Sequence, residues 1–231
     1  NVAGWYDADD WVLPAVTLGL LYLALQPFKP YPLGWLLKPL PMLLFALLVW
    51  RAFPGAPGRW LALGYGAAAA GDFFLDFGDR DGLFIQALLA FLVNQIAFAI
   101  AFVSLGRGRS WSWPRVAPVL VYGLTVGAWL LPAAGTLQVP VAIYLGCLLL
   151  MALLATRLEA KPGPLWLGAM LFVVADSLIG VNKFVQPFPH AVLVIVCCYF
   201  SGQALIAWGL LRLRAAAATA ATSPAPVATA G

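Results

Sequence analysis

The chain has little of what a soluble enzyme displays or works with. Of its 231 residues 10% are charged, with nine acids, one histidine and three cysteines. Cys147, Cys197 and Cys198 all fall in apolar runs. An odd count placed there supplies neither a disulfide framework nor metal-ligand spacing. No Gly-x-Ser-x-Gly or Ser-x-x-Lys motif occurs, and no histidine lies near a Cys or Ser, so the common nucleophile–base arrangements are excluded. No His/Asp/Glu group has the spacing of a metal site, and no cofactor motif is present. The isoelectric point near 9.1 comes without a basic cluster interleaved with aromatics, which argues against nucleic-acid binding.

What is abundant is hydrocarbon. Hydrophobic residues make up 63% of the chain and mean hydropathy is +0.93. The apolar material comes in runs of about 20 residues, the length that crosses a bilayer as a helix. Eight spans are predicted at 11–26, 33–51, 60–77, 82–105, 114–131, 138–157, 164–182 and 190–213. Pro, Gly and charge separate them, as in Pro54-Gly55-Ala56-Pro57-Gly58 and Lys161-Pro162-Gly163-Pro164. The expected fold is an all-α integral membrane bundle occupying 11–213. An N-terminal tail covers 1–10, and an Ala/Thr/Pro tail at 214–231 is expected to be disordered. No signal peptide with a cleavage pattern precedes the first span. The termini and even-numbered connections carry nine basic residues, among them Arg107, Arg109, Arg157 and Lys161. The other side carries four: Lys29, Lys38, Arg80 and Lys183. The positive-inside rule then predicts a multi-pass protein of the cell membrane with cytoplasmic termini.

Against this background two aspartates stand out. Asp7, Asp9, Asp10, Asp76, Asp79, Asp81 and Glu159 fall in the tail or near connections, whereas Asp72 and Asp176 lie well inside apolar runs. A carboxyl group in hydrocarbon costs several kcal/mol unless it faces protein, so its default reading is functional. Both sit in similar settings, Gly66-Ala67 through Asp72-Phe73-Phe74-Leu75 and Gly168-Ala169 through Asp176-Ser177-Leu178-Ile179. Each lies about 12 residues, or roughly 18 Å, from its helix start. Four spans separate them, so the helices run in the same direction, the acids share a depth nearer the non-cytoplasmic side, and two four-helix halves are suggested. Gly64, Ala68, Asp72 and Asp76 form an i+4 stripe of small residues that admits a close neighbouring helix. Phe172, Asp176, Gly180 and Lys183 share a face, and with Asp79, Arg80 and Asp81 a polar mouth is expected above the buried acids. Asn94, Gln95, Tyr199 and Gln203 are the available hydrogen-bond partners, read first as interhelical glue. His190, after Pro189, is expected at the surface. Lys38 fits either a snorkelling anchor or a phosphate contact.

At these motifs the chain resembles the YhhN family of membrane lysoplasmalogenases. The resemblance runs in order through Lys38-Pro39-Leu40-Pro41-Met42, Gly71-Asp72-x-x-Leu75, Gly82 to Phe102, Tyr144 to Met151, and Gly168-Ala169 through Phe172. It continues through Ala175-Asp176-Ser177-Leu178, Asn182-Lys183-Phe184 and Tyr199-x-x-x-Gln203-x-Leu205-Ile206. It implies an eight-helix bundle that hydrolyses the vinyl ether of a lysoplasmalogen to a fatty aldehyde and a glycerophospho-base, with Asp72 and Asp176 as the family's aspartate pair. Relatives often carry Phe-x-x-x-His-x-x-Tyr on the fourth helix, where this chain has Phe91, Gln95 and Phe98.

The implied chemistry suits the residues. Vinyl ether hydrolysis protonates the β-carbon, and water then captures the oxocarbenium ion without a covalent enzyme intermediate. Burial disfavours the ionised form of a carboxyl group, and two nearby acids push their proton affinities apart, which provides an acid and a base at neutral pH. Asp72, in the more apolar Gly/Ala surroundings, is expected to be the acid, and Asp176, below Lys183, the base. The candidate site comprises Asp72 and Asp176 as catalytic pair, with Lys38, Asp76, Gln95, Asn182, Lys183, Tyr199 and Gln203 around a lysophospholipid entering sideways from the bilayer. A proton-coupled carrier and a purely structural role for the acids are the alternatives the residues leave open.

Overall fold

A computed structural model describes residues 8–222 except 30, 32–33 and 78–81, with the backbone alone for 8–11 and 222. Among the described residues it is all helical: α1 (Ala8–Leu25), α2 (Gly34–Leu37), α3 (Leu40–Ala52), α4 (Ala56–Phe77), α5 (Phe84–Leu105), α6 (Trp113–Ala133), α7 (Gln138–Ala155), α8 (Pro164–Gly180) and α9 (Ala191–Thr222). Taken with α2 and α3 as one broken span, these are the eight predicted spans. Six of the eight are long and apolar enough to cross a membrane on their own. The exceptions are α1 and α4, the latter diluted by Gly and by Arg59, Asp72 and Asp76. The chain is a multi-pass membrane bundle.

The boundaries differ from expectation where local chemistry intervenes. The second span is interrupted at Lys38 and Pro39. Pro39 has no N–H to donate and restricts the residue before it, so α2 stops and α3 begins with Pro39 as its N-cap. The seventh span continues past Gly180 as a π-helical turn, Val181–Val185, a form that recurs at functional sites. The predicted C-terminal tail is not wholly irregular. Its first residues continue α9 as far as Thr222, since an alanine-rich segment carries the highest helix propensity. Residues 223–231 lie outside the described residues, as do Asp79, Arg80 and Asp81 of the expected polar mouth.

Small residues decide the closest helix pairs. On α8 and α9, a Cβ added at Gly168 would fall 2.6 Å from the Gly202 carbonyl oxygen, and one at Gly202 2.9 Å from that of Gly168. The two backbones therefore touch, as a membrane helix pair does when no hydrophobic drive from water holds it together. α4 instead offers hollows to large side chains: the Gly64 and Gly71 positions are filled by Phe98 and Phe91 of α5. The small-residue stripe predicted on α4 thus seats aromatic rings. α4 packs on α5 and α8 on α9, while α3 packs on α4 and α7 on α8. The pairings of the first four spans are repeated in the last four.

Candidate active site

Asp72 lies on α4 at the level of the α2–α3 break and is 1% exposed. Trp35 of α2 packs edge-on against Phe73 and Phe77 of α4, with ring centres 5.3 and 5.1 Å apart. That contact fixes the short helix on α4 one turn before Lys38. The Lys38 ammonium, on a residue 6% exposed, lies 3.5 Å from Asp72 Oδ1. From the other side, the Tyr199 hydroxyl of α9 donates to Asp72 Oδ2 at 2.9 Å. Tyr199 is held edge-on between Phe91 of α5 and Phe172 of α8.

Asp176 sits at the corresponding place on α8, 7% exposed. Its Oδ2 accepts two bonds, from the Tyr144 hydroxyl of α7 at 2.5 Å and from Gln95 Nε2 of α5 at 3.3 Å. Its Oδ1 is buried and has no hydrogen-bond partner. Tyr199, which bonds Asp72, packs edge-on against Phe172, one turn before Asp176 on α8.

Asp176, Ser177 and Tyr144 are the polar residues lining a mostly apolar cavity of about 50 Å³ between α5, α7 and α8. That volume holds a few waters and no lipid chain. Phe84 and Phe184, whose ring centres are 6.2 Å apart, also line it. Lys183, on the π turn, places its ammonium 4.3 Å from the centre of the Phe84 ring, a cation–π contact of about 1 kcal/mol. Asn182 Oδ1 accepts the Phe188 N–H at 3.3 Å and so closes the loop that follows.

Asp76, one turn beyond Asp72, pairs with Lys29 at 2.5 Å and accepts the Tyr22 hydroxyl at 2.9 Å. This cluster ties α1 and the turn after it to α4. Replacing Lys29 by Met is expected to cost about 1 kcal/mol, read as a small drop in the melting temperature of the detergent-solubilised protein, with the buried aspartates undisturbed.

The predicted neighbours divide into two kinds. Gln95 and Tyr199 reach the aspartates directly. Asn94 is interhelical glue, donating to the Gly64 carbonyl oxygen at 2.9 Å. The Gln203 side chain is fully buried with both amide atoms unpartnered, while its backbone carbonyl accepts the Tyr65 hydroxyl. His190 is exposed, as expected, with a left-handed backbone (φ 56°) ahead of α9. Lys38 proves to be buried beside Asp72 and does not snorkel to the surface. Tyr144 was visible only as the first residue of a family-like segment, and Lys29 and Tyr22 gave no signal. Each bonds across a sequence separation that periodicity does not report.

The arrangement offers two buried carboxyl groups, each accepting a tyrosine hydroxyl on one oxygen, one of them at a mostly apolar cavity. A model of the YhhN family matches residues 33–210. The chain belongs to the YhhN family. It is 31% identical over 216 residues to the human protein lysoplasmalogenase TMEM86B, covering 89% of this chain and 88% of the relative. It is 29% identical over 219 residues to a lysoplasmalogenase of Mycobacterium bovis, covering 90% and 82%. No solved structure matches the chain. On α5, Gln95 supplies one of the two hydrogen-bond donors to Asp176. The Tyr144 contact is expected to be the stronger of the two. Tyr144→Phe should lower turnover roughly fivefold to tenfold, the effect of about 1 kcal/mol, with little change in substrate affinity in a steady-state assay.

Proposed function

We propose that this chain is a lysoplasmalogenase, which hydrolyses the vinyl ether of a lysoplasmalogen to a fatty aldehyde and a glycerophospho-base. The observation that carries the reading is Asp176 lining the mostly apolar cavity, one oxygen tied to Tyr144 and Gln95 and the other unpartnered. Asp72 supplies a second buried carboxyl group. The names of the relatives supply the substrate class.

The reaction needs one un-ionised and one ionised carboxyl group. The first gives its proton to the β-carbon of the vinyl ether, leaving an oxocarbenium ion. A water in the cavity attacks the adjacent carbon and loses a proton to the second. The hemiacetal then collapses: its hydroxyl proton returns to the first aspartate, and the second protonates the departing glycerol oxygen. Both carboxyl groups end as they began. The carboxylate also stabilises the cation electrostatically, an effect amplified where water is scarce.

The lysolipid enters from the bilayer past Phe84 and Phe184, which must part because the cavity is too small for it. About 10 Å of helix rise separates Asp176 from Lys183. That spacing lets the Lys183 ammonium leave the Phe84 ring and meet the phosphate while the vinyl ether reaches Asp176. The termini lie in the cytoplasm and the mouth opens toward the other face of the membrane, following the basic residues of the connections. The test is turnover by the purified full chain in mixed micelles. Lysoplasmalogen should give aldehyde and glycerophospho-base, whereas the saturated alkyl-ether analogue should stay intact. Equal cleavage of both, or of neither, would contradict the proposal.

A further inference from the structure

Each aspartate is held by one group from the preceding span and one from the last span of the opposite half. Asp72 on the third span meets Lys38 of the second and Tyr199 of the eighth. Asp176 on the seventh meets Tyr144 of the sixth and Gln95 of the fourth. The two sites therefore correspond position for position, and they differ in charge at one of them. Where the first half supplies an ammonium, the second supplies a phenol.

We infer that Lys38 decides which carboxyl group carries the proton, leaving Asp72 ionised as the base and Asp176 un-ionised as the acid. This rests on the hydrolase reading for its mechanistic meaning, and it reverses the expectation from sequence that Asp72 is the acid.

The bonding pattern carries the argument. A carboxylate buried in the bundle persists when a cation is beside it, and Lys38 is itself buried against Asp72. Asp176 instead accepts two neutral donors on the same oxygen, Oδ2. That is the pattern of a carbonyl oxygen, which takes two hydrogen bonds, while the other oxygen bears the proton. Among the described residues nothing hydrogen-bonds Oδ1, which leaves that oxygen to carry a proton to a substrate carbon. The other charged groups near the pair fit this division. Asp76, one turn above Asp72, is engaged by Lys29 and Tyr22. Lys183, two turns beyond Asp176, covers the Phe84 ring. Lys38 is thus a positioning residue, acting through Asp72 and not on the substrate.

Infrared spectroscopy of the purified, ligand-free full chain tests this, because an un-ionised carboxyl group has a carbonyl-stretch band that a carboxylate lacks. The wild type should show one such band from the buried pair. Asp176→Asn should remove it, and Asp72→Asn should retain it. Lys38→Met should add a second band as Asp72 takes up a proton, and should lower turnover by about a hundredfold or more, the smallest contribution expected of a general base. Lys38→Arg should restore the single band. If Lys38→Met does not fold, Lys38→Gln, which keeps a donor without the charge, carries the same expectation. A band lost in Asp72→Asn but kept in Asp176→Asn, no band in the wild type, or a single band after loss of the Lys38 charge would each overturn the assignment. The reading requires no turnover. Absence of hydrolysis by the wild type would refute the proposed function and leave this result standing.

Discussion

Asp176→Asn is expected to lower aldehyde release by about 10³-fold, with Asp72→Asn close behind. General acid–base catalysis contributes about 10² to 10⁴ to a rate, and an amide can neither give nor take the proton that each carboxyl group exchanges. The replacement is nearly isosteric. In Asp176→Asn the amide oxygen can still accept the Tyr144 hydroxyl and the Gln95 amide, so the fold around α5, α7 and α8 should hold. Substrate affinity should change little, because the apolar cavity and Lys183 are untouched. The loss therefore falls on turnover. Steady-state kinetics on protein shown to be folded by its thermal transition separates the two. A tenfold loss or less at either position would mean that the aspartate is a tie between helices and not a participant.

Gly202→Leu is expected to destabilise the bundle by about 3 kcal/mol or more. A side chain at this position meets backbone: the Gly168 carbonyl oxygen at 2.9 Å and the Phe172 nitrogen at 3.0 Å. Backbone cannot swing aside as a flexible side chain does, so α8 and α9 must separate. Tyr199 sits one turn before Gly202 and bonds Asp72. Separation therefore also removes Tyr199 from Asp72. Molecules that still fold should be nearly inactive. Gly66→Leu is the contrast, since no atom lies within 4 Å of that position's Cβ, and both the melting temperature and the activity should be close to wild type. A Gly202→Leu protein as stable as the wild type would mean that the helices are not in backbone contact.

How far the sequence could be read follows from what each feature depends on. The spans were legible because the apolar length of a bilayer is fixed, and seven of the eight are single helices in the described residues. The break at Lys38 and Pro39 was hidden because the apolar stretches on its two sides together have the length of one span. Asp72 and Asp176 were legible for the opposite reason, as acids where hydrocarbon forbids them without cause. Their division of labour was not. The Gly/Ala surroundings of Asp72 read as apolar and suggested an acid, but the decisive neighbour, Lys38, comes from a different span and reaches Asp72 only because Trp35 holds α2 on α4. Lys183 was legible by position alone. Its place two turns beyond Asp176 was correct, while its ammonium lies over Phe84. The two-half suggestion proved useful as a frame, since Lys38 and Tyr144 correspond within it. That correspondence concerns donors from different helices, which no local pattern in the chain displays.

The most direct test of the account is single-turnover hydrolysis of a lysoplasmalogen by the wild-type chain in H2O and in D2O, with the aldehyde trapped by reduction. Proton transfer from a carboxyl group to carbon is the demanding step, so the account predicts clearly slower turnover in D2O and one deuterium on the carbon next to the trapped carbonyl carbon. Equal rates in the two solvents, or aldehyde without deuterium at that carbon, would contradict it.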